Sequence, residues 1–113
     1  MHEMALCEGV IDIVAQEAER QNFQRVTTLW LEIGALSHVE PEAMLFCFDA
    51  VSRGTVAEGA TLEILRPPGQ GWCLRCSQTI PLAHRFDPCP HCGSHQIQIT
   101  GGEDLRVKEL EVE

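Results

Sequence analysis

At 113 residues, 44% of them hydrophobic, the chain can close one core of ordinary size, with room for a small insertion, and lies outside the composition of disordered chains. Seventeen Asp and Glu against eight Lys and Arg leave a formal charge of −9, which excludes the chain-wide basic footprint of a nucleic-acid binder. No apolar run reaches the ~20 residues of a membrane span, and no basic region leads into an apolar core at the N-terminus. A cytoplasmic protein with neither nucleic acid nor membrane as partner is expected.

Residues 4–21 carry Leu6, Val10, Ile13, Val14 and Ala18 on one helical face, widened by Cys7 and Ile11, with Glu8, Asp12, Gln16, Glu19 and Arg20 polar. Asn22 suits the end of that helix. The segment VTTLWLEIG at 26–34 alternates with period two and predicts a strand, with Leu29, Leu31 and Ile33 on one face. Pro41 fits the first turn of a second helix, where its missing N–H costs nothing. Met44, Cys47, Phe48 and Val51 line that helix, and Gly54 can close it in the left-handed conformation. TLEILR at 61–66 predicts another strand, stopped by Pro67, Pro68 and Gly69. IQIT at 97–100 and DLRVKELEV at 104–112 predict two more about Gly101 and Gly102. In the last, the apolar positions slip by one residue after Lys108, as a bulge near Lys108–Glu109 would explain.

The expected fold is a small α/β domain of the α+β type, two helices on one face of a small sheet. It spans residues 1–70 with 97–113 and is interrupted by a zinc-ribbon-like insert at 71–96. Cysteines mark that insert. Cys73 and Cys76 form one C-x-x-C pair, Cys89 and Cys92 a second, and Gly93 follows where a knuckle needs a tight turn. Four thiolates so spaced can converge on one tetrahedral ion with Zn–S distances of ~2.3 Å, leaving no position for water or substrate. The insert has few large apolar groups, and structural zinc supplies the stability that its small core lacks. Iron would accept the same sulfurs, but nothing else in the chain suggests electron transfer. A thioredoxin-like role for Cys89–Cys92 would leave the other pair redundant, and Gly93–Ser94 is a poor continuation for a helix. Arg75, Arg85 and Asp87 give the insert too little positive charge to grip phosphates. Cys7 and Cys47 sit on core-facing helical positions and read as buried, inert thiols.

The opening Met1-His2-Glu3 is a separate question. The α-amine of Met1, the His2 amide nitrogen and the His2 imidazole can chelate one metal in a plane, with the Glu3 amide as a fourth donor. Such nitrogen-rich geometry suits Ni(II) and Cu(II) and is poor for Zn(II). Glu3 can equally serve the positive end of the first helix, with His2 idle, and spacing alone leaves both readings open.

MHE at the start, the amphipathic helix, VTTLWLEIGALS, FCFDAVSRGTVAEGA and the two C-x-x-C pairs together resemble the HypA/HybF family, over essentially the whole chain. These are nickel-insertion accessory proteins for [NiFe]-hydrogenases. The resemblance implies a metallochaperone, not an enzyme, with His2 binding Ni(II) as transient cargo. It also implies Cys73, Cys76, Cys89 and Cys92 holding structural Zn(II). Its implied partners are the HypB GTPase and the hydrogenase large-subunit precursor, the chain acting as monomer or homodimer. Some relatives carry a histidine directly after a C-x-x-C pair; here Ser77 and Gly93 stand there. The rival reading is a zinc-ribbon interaction or regulatory module with no nickel role.

Overall fold

In a computed structural model, which describes residues 2–113, the chain forms two helices and six strands. Helix α1 (Glu3–Gln21) buries Cys7, Val10, Ile11, Val14 and Ala18. The buried stripe therefore steps 7, 11, 14, 18, and Ile13, expected in it, is 51% exposed. Asn22 ends the helix in the left-handed conformation (φ 58°, ψ 42°), its N–H returning to the Ala18 carbonyl.

Strand β1 (Val26–Ile33) buries Leu29, Leu31 and Ile33 completely, as its alternation requires, and Val26 at its start as well. Helix α2 (Pro41–Val51) opens on its proline and buries Met44 and Phe48, with Cys47 half-buried. Its cap is Ser52. Gly54 does take a left-handed φ of 77°, but two residues beyond the cap, in the turns that lead to the next strand. The helices meet where the Cys7 thiol lies 3.5 Å from the Met44 carbonyl. Strands β2 (Thr61–Leu65), β1 and β6 (Leu105–Val112) form one sheet in the order β2-β1-β6. Two helices on this sheet make the expected α+β layer.

A second sheet, in the order β4-β3-β5, surrounds the cysteines. Strand β3 (Gly69–Cys73) pairs antiparallel with β4 (Gln78–Leu82) in a hairpin that sets Cys73 opposite Gln78. On its other side β3 pairs antiparallel with β5 (Ile97–Gly101), Cys73 opposite Ile97. The IQIT strand thus lies with the cysteines, whereas the sequence placed it beside β6. A central strand has backbone donors and acceptors on both edges, and β5 supplies the partners that β4 leaves unmet. Ile97 and Ile99 also pack on a core of Leu36, Cys73, Ile80, Leu82 and Cys89.

The chain divides into two compact units. One comprises the residues up to Leu31, Val39–Ile64 and Arg106–Glu113; the other comprises Glu32–His38 and Leu65–Leu105. The cysteine-bearing unit is thus wider than the 71–96 insert, because its sheet recruits strands from both flanks. Within it, Arg85 reaches the Leu36 carbonyl at 2.9 Å and Glu103 at 3.0 Å, and Arg66 donates to the Ile33 and Gly34 carbonyls. Gly34 is required by close approach, since a Cβ there would overlap the Gly102 backbone. None of the described helices is long and apolar enough to cross a membrane.

Candidate metal centre

Cys73 closes β3, Cys76 lies in the β3–β4 turn, and Cys89 and Cys92 lie in the loop between β4 and β5. The two C-x-x-C segments are built alike. In the first, Ser77 donates its N–H to the Cys73 carbonyl at 2.8 Å; in the second, Gly93 does the same to Cys89 at 2.8 Å. Both of these following residues take left-handed backbone, φ 55° at Ser77 and 75° at Gly93. The backbone N–H of Cys76 points at the Cys73 sulfur (3.3 Å), and that of His91 at the Cys89 sulfur (3.4 Å). Glycine was legible at the second turn. Serine at the first was not, although its position relative to the pair is the same.

All four sulfurs lie within 4.8 Å of one another, the only such cluster of His, Cys, Asp or Glu among the described residues. Cys73 Sγ is 3.7 Å from Cys92 Sγ, and Cys76 Sγ 3.9 Å from Cys89 Sγ. A tetrahedron with Zn–S bonds of ~2.3 Å has edges of about 3.8 Å, so the donor set fits a four-coordinate ion. Cys73 and Cys89 are buried, while Cys76 and Cys92 are partly exposed. Proton sharing with Cys92, then burial, pushes the Cys76 thiol up to about 12. At Cys89 burial opposes the charge, yet the N–H groups of Cys92 and His91 and the neighbouring thiols bring it down to about 6. One sulfur is thus ready as a thiolate at neutral pH. Four sulfurs around one ion fill its shell, so the chemistry open to this site is structural.

The histidines stand apart. His91 serves the cluster through its backbone N–H, and His84 faces Asp87, with Nδ1 3.5 Å from Oδ2. His38 and His95 are exposed. His2 caps the start of α1 with its carbonyl accepting from Leu6 at 2.9 Å; its exposed side chain makes no capping bond. Glu3 Oε2 accepts from the Glu40 N–H at 3.3 Å. Met1, whose amine completes the expected chelate, lies outside the described residues.

Residues 1–112 match the model of a family described as "Hydrogenase/urease nickel incorporation, metallochaperone, hypA". The chain belongs to the HypA family. It is 63% identical to a hydrogenase maturation factor HypA of Rhodopseudomonas palustris (strain BisA53) and 53% identical to one of Azotobacter vinelandii, each over 113 residues and the full length of both chains. The fold is similar to the solution structure of the Ni metallochaperone HypA from Helicobacter pylori, with a TM-score of 0.74 at 24% identity, covering 99% of this chain and 97% of that one. HypA proteins are accessory metallochaperones of hydrogenase maturation and not catalytic enzymes.

Proposed function

We propose that this HypA-family chain carries Ni(II) at its amino-terminal segment, with His2 as the indispensable ligand, and passes it to a [NiFe]-hydrogenase large-subunit precursor. The HypB GTPase is the expected collaborator, the cytoplasm the expected setting, and Zn(II) the ion at Cys73, Cys76, Cys89 and Cys92. In this reading the cysteine-bearing unit is structural and the helical unit bears the cargo.

The observation that carries the reading is the separation of two donor types. The sulfur set is closed on itself, whereas the His2 imidazole is exposed and makes no capping bond at the start of a helix. The first N–H groups of a helix have no intrahelical acceptor, so a metal can engage amide nitrogens there without breaking the helix. Nitrogen donors in a plane, from the Met1 amine through the His2 amide and ring, suit low-spin Ni(II). Every such donor must lose or lack a proton, so the affinity falls as pH drops. Cu(II) binds the same donors more tightly, which leaves selectivity to partners and metal supply. A site at a chain end can also be peeled open by a partner that offers competing ligands.

Nickel titration by calorimetry with parallel absorbance spectra tests this on zinc-loaded protein. Native protein is expected to bind one Ni(II), and His2→Ala to bind none while keeping its zinc. A variant with extra residues ahead of Met1 is expected to lose binding as well, because its amine is displaced. Equal binding by all three, or by none, overturns the proposal and leaves a zinc-stabilised interaction module.

A further inference from the structure

Strand β6 ends its sheet. It pairs with β1 on one side, and among the described residues no strand takes the other. An eight-residue open edge offers a row of unpaired backbone donors and acceptors, a template for another strand. What it selects for is written in its side chains.

From 106 to 111 the strand reads Arg-Val-Lys-Glu-Leu-Glu: both positive charges precede both negative ones, in an order that complements its own reverse. Lys108 and Glu109 are both exposed, flanked by half-buried Val107 and Leu110, so the alternation changes phase between them. Residues equidistant from that midpoint therefore share a face. An antiparallel copy centred there would set Lys108 against Glu109, Val107 against Leu110 and Arg106 against Glu111, each pairing occurring twice. Moving the centre by half a residue either way opposes Lys108 to Lys108 or Glu109 to Glu109, which is unfavourable between directly opposed residues. The sequence thus specifies one register.

Three further observations favour a second copy as the occupant. Lys108 is the chain's only lysine, and among the described residues neither it nor Glu109 has an ion-pair partner within the chain. Across these six residues the charge is zero, so the segment escapes the repulsion that a net charge of −9 imposes elsewhere. A groove of about 410 Å³ runs beside β6, lined by Ile13, Glu17, Phe23, Val107, Leu110 and Val112, where an added strand could lay its apolar face. A lone edge lysine opposes self-pairing. Followed directly by glutamate, it does the reverse.

We propose that the open edge of β6 is a self-recognition surface, on which two copies of this chain pair antiparallel about a twofold axis between Lys108 and Glu109. The contact is isologous, so one residue pair supplies two ion pairs. A single strand pairing is small, and the dimer is expected to be concentration-dependent.

The test uses zinc-loaded full-length protein in sedimentation velocity over roughly 10–500 µM, the range in which small interfaces self-associate. Wild type is expected to dimerise. Lys108→Glu and Glu109→Lys are each expected to weaken self-association about tenfold or more, since two attractive pairs become repulsive. An equimolar mixture of the two variants restores both pairs and is expected to form a heterodimer, a result that also shows both variants to be folded. In isotopically mixed wild-type samples, a carbodiimide should join Lys108 of one copy to Glu109 of another. A wild type that stays monomeric throughout overturns the proposal. So does a dimer that survives in both single variants, because it is then held elsewhere, or a mixture that remains monomeric.

Discussion

Cys76 and Cys89 occupy one cluster with opposite acid–base characters, and this difference sets how the site answers to pH. In the metal-free cluster at pH 7, Cys89, with its pKa near 6, is ionised, and Cys76, raised to about 12, holds a proton. Metal entry must expel at least the Cys76 proton, so affinity falls on acidification by about tenfold or more per pH unit. Below pH 6 Cys89 is protonated too, and the fall becomes steeper. Zinc competition against a chromophoric chelator between pH 5 and 8, corrected for the chelator's own protonation, should show this break in slope. A flat profile would show that the cluster releases no proton on binding. Cys7 behaves differently. Burial, with the Cys47 and Glu3 charges, raises it to about 11, which keeps it a thiol packed beside Met44, out of metal chemistry.

At the scale of elements, the β3–β4 hairpin owes its turn to a residue in an uncomfortable conformation. Ser77 takes φ 55°, where a side chain costs roughly 1 kcal/mol or more that glycine does not. Gly93 occupies the matching place in the other knuckle without that cost. Ser77→Gly is therefore expected to stabilise the cysteine-bearing unit by about 0.5–1 kcal/mol, glycine's greater unfolded-state entropy offsetting part of the gain. Urea denaturation of the zinc-loaded protein measures it. A loss of stability would mean that the serine side chain contributes contacts outweighing its strain. In the same hairpin Pro81 fits because β4 is the outer strand of its sheet, where a missing N–H is tolerated.

The whole molecule comprises two compact units whose cores differ in composition. The helical unit closes over fully buried Val14, Val26, Leu29, Leu31 and Met44, an apolar core of ordinary kind. The other unit has few large buried apolar groups, and its cysteines stand among them. Stripping the metal with excess chelator is expected to abolish amide-exchange protection in Gly69–Cys73, Gln78–Leu82 and Ile97–Gly101. Amides of α1 should stay protected. Simultaneous loss in both units would show instead that the metal holds the entire fold.

How far the sequence reached depended on whether a signal was local. The face of Leu6, Val10, Ile13, Val14 and Ala18, widened by Cys7 and Ile11, predicted α1 and Asn22 predicted its end, because periodicity and a left-handed cap are properties of neighbouring residues. The buried stripe is turned toward Cys7 and Ile11, and Ile13 is exposed. The alternation in VTTLWLEI likewise gave β1 and its buried face, and the C-x-x-C spacings gave four sulfurs able to converge. Two strands of the cysteine unit were hidden. GQGWC and QTIPL hold two glycines and a proline among ten residues, poor strand formers by themselves. They become strands because each meets the other's backbone groups and because their ends lead into the cysteine knuckles. The allegiance of IQIT was undecidable from its own residues. Its alternation says strand, but which sheet it joins depends on where β3 lies with an edge unmet, twenty-four residues upstream at Cys73 opposite Ile97. Sequence by itself determined the helices, the first strand and the convergence of four sulfurs, since each is fixed by chemistry within a few residues. Only the tertiary structure decided strand partnership and the extent of the cysteine unit, since those depend on hydrogen-bond and apolar demands brought together from distant parts of the chain.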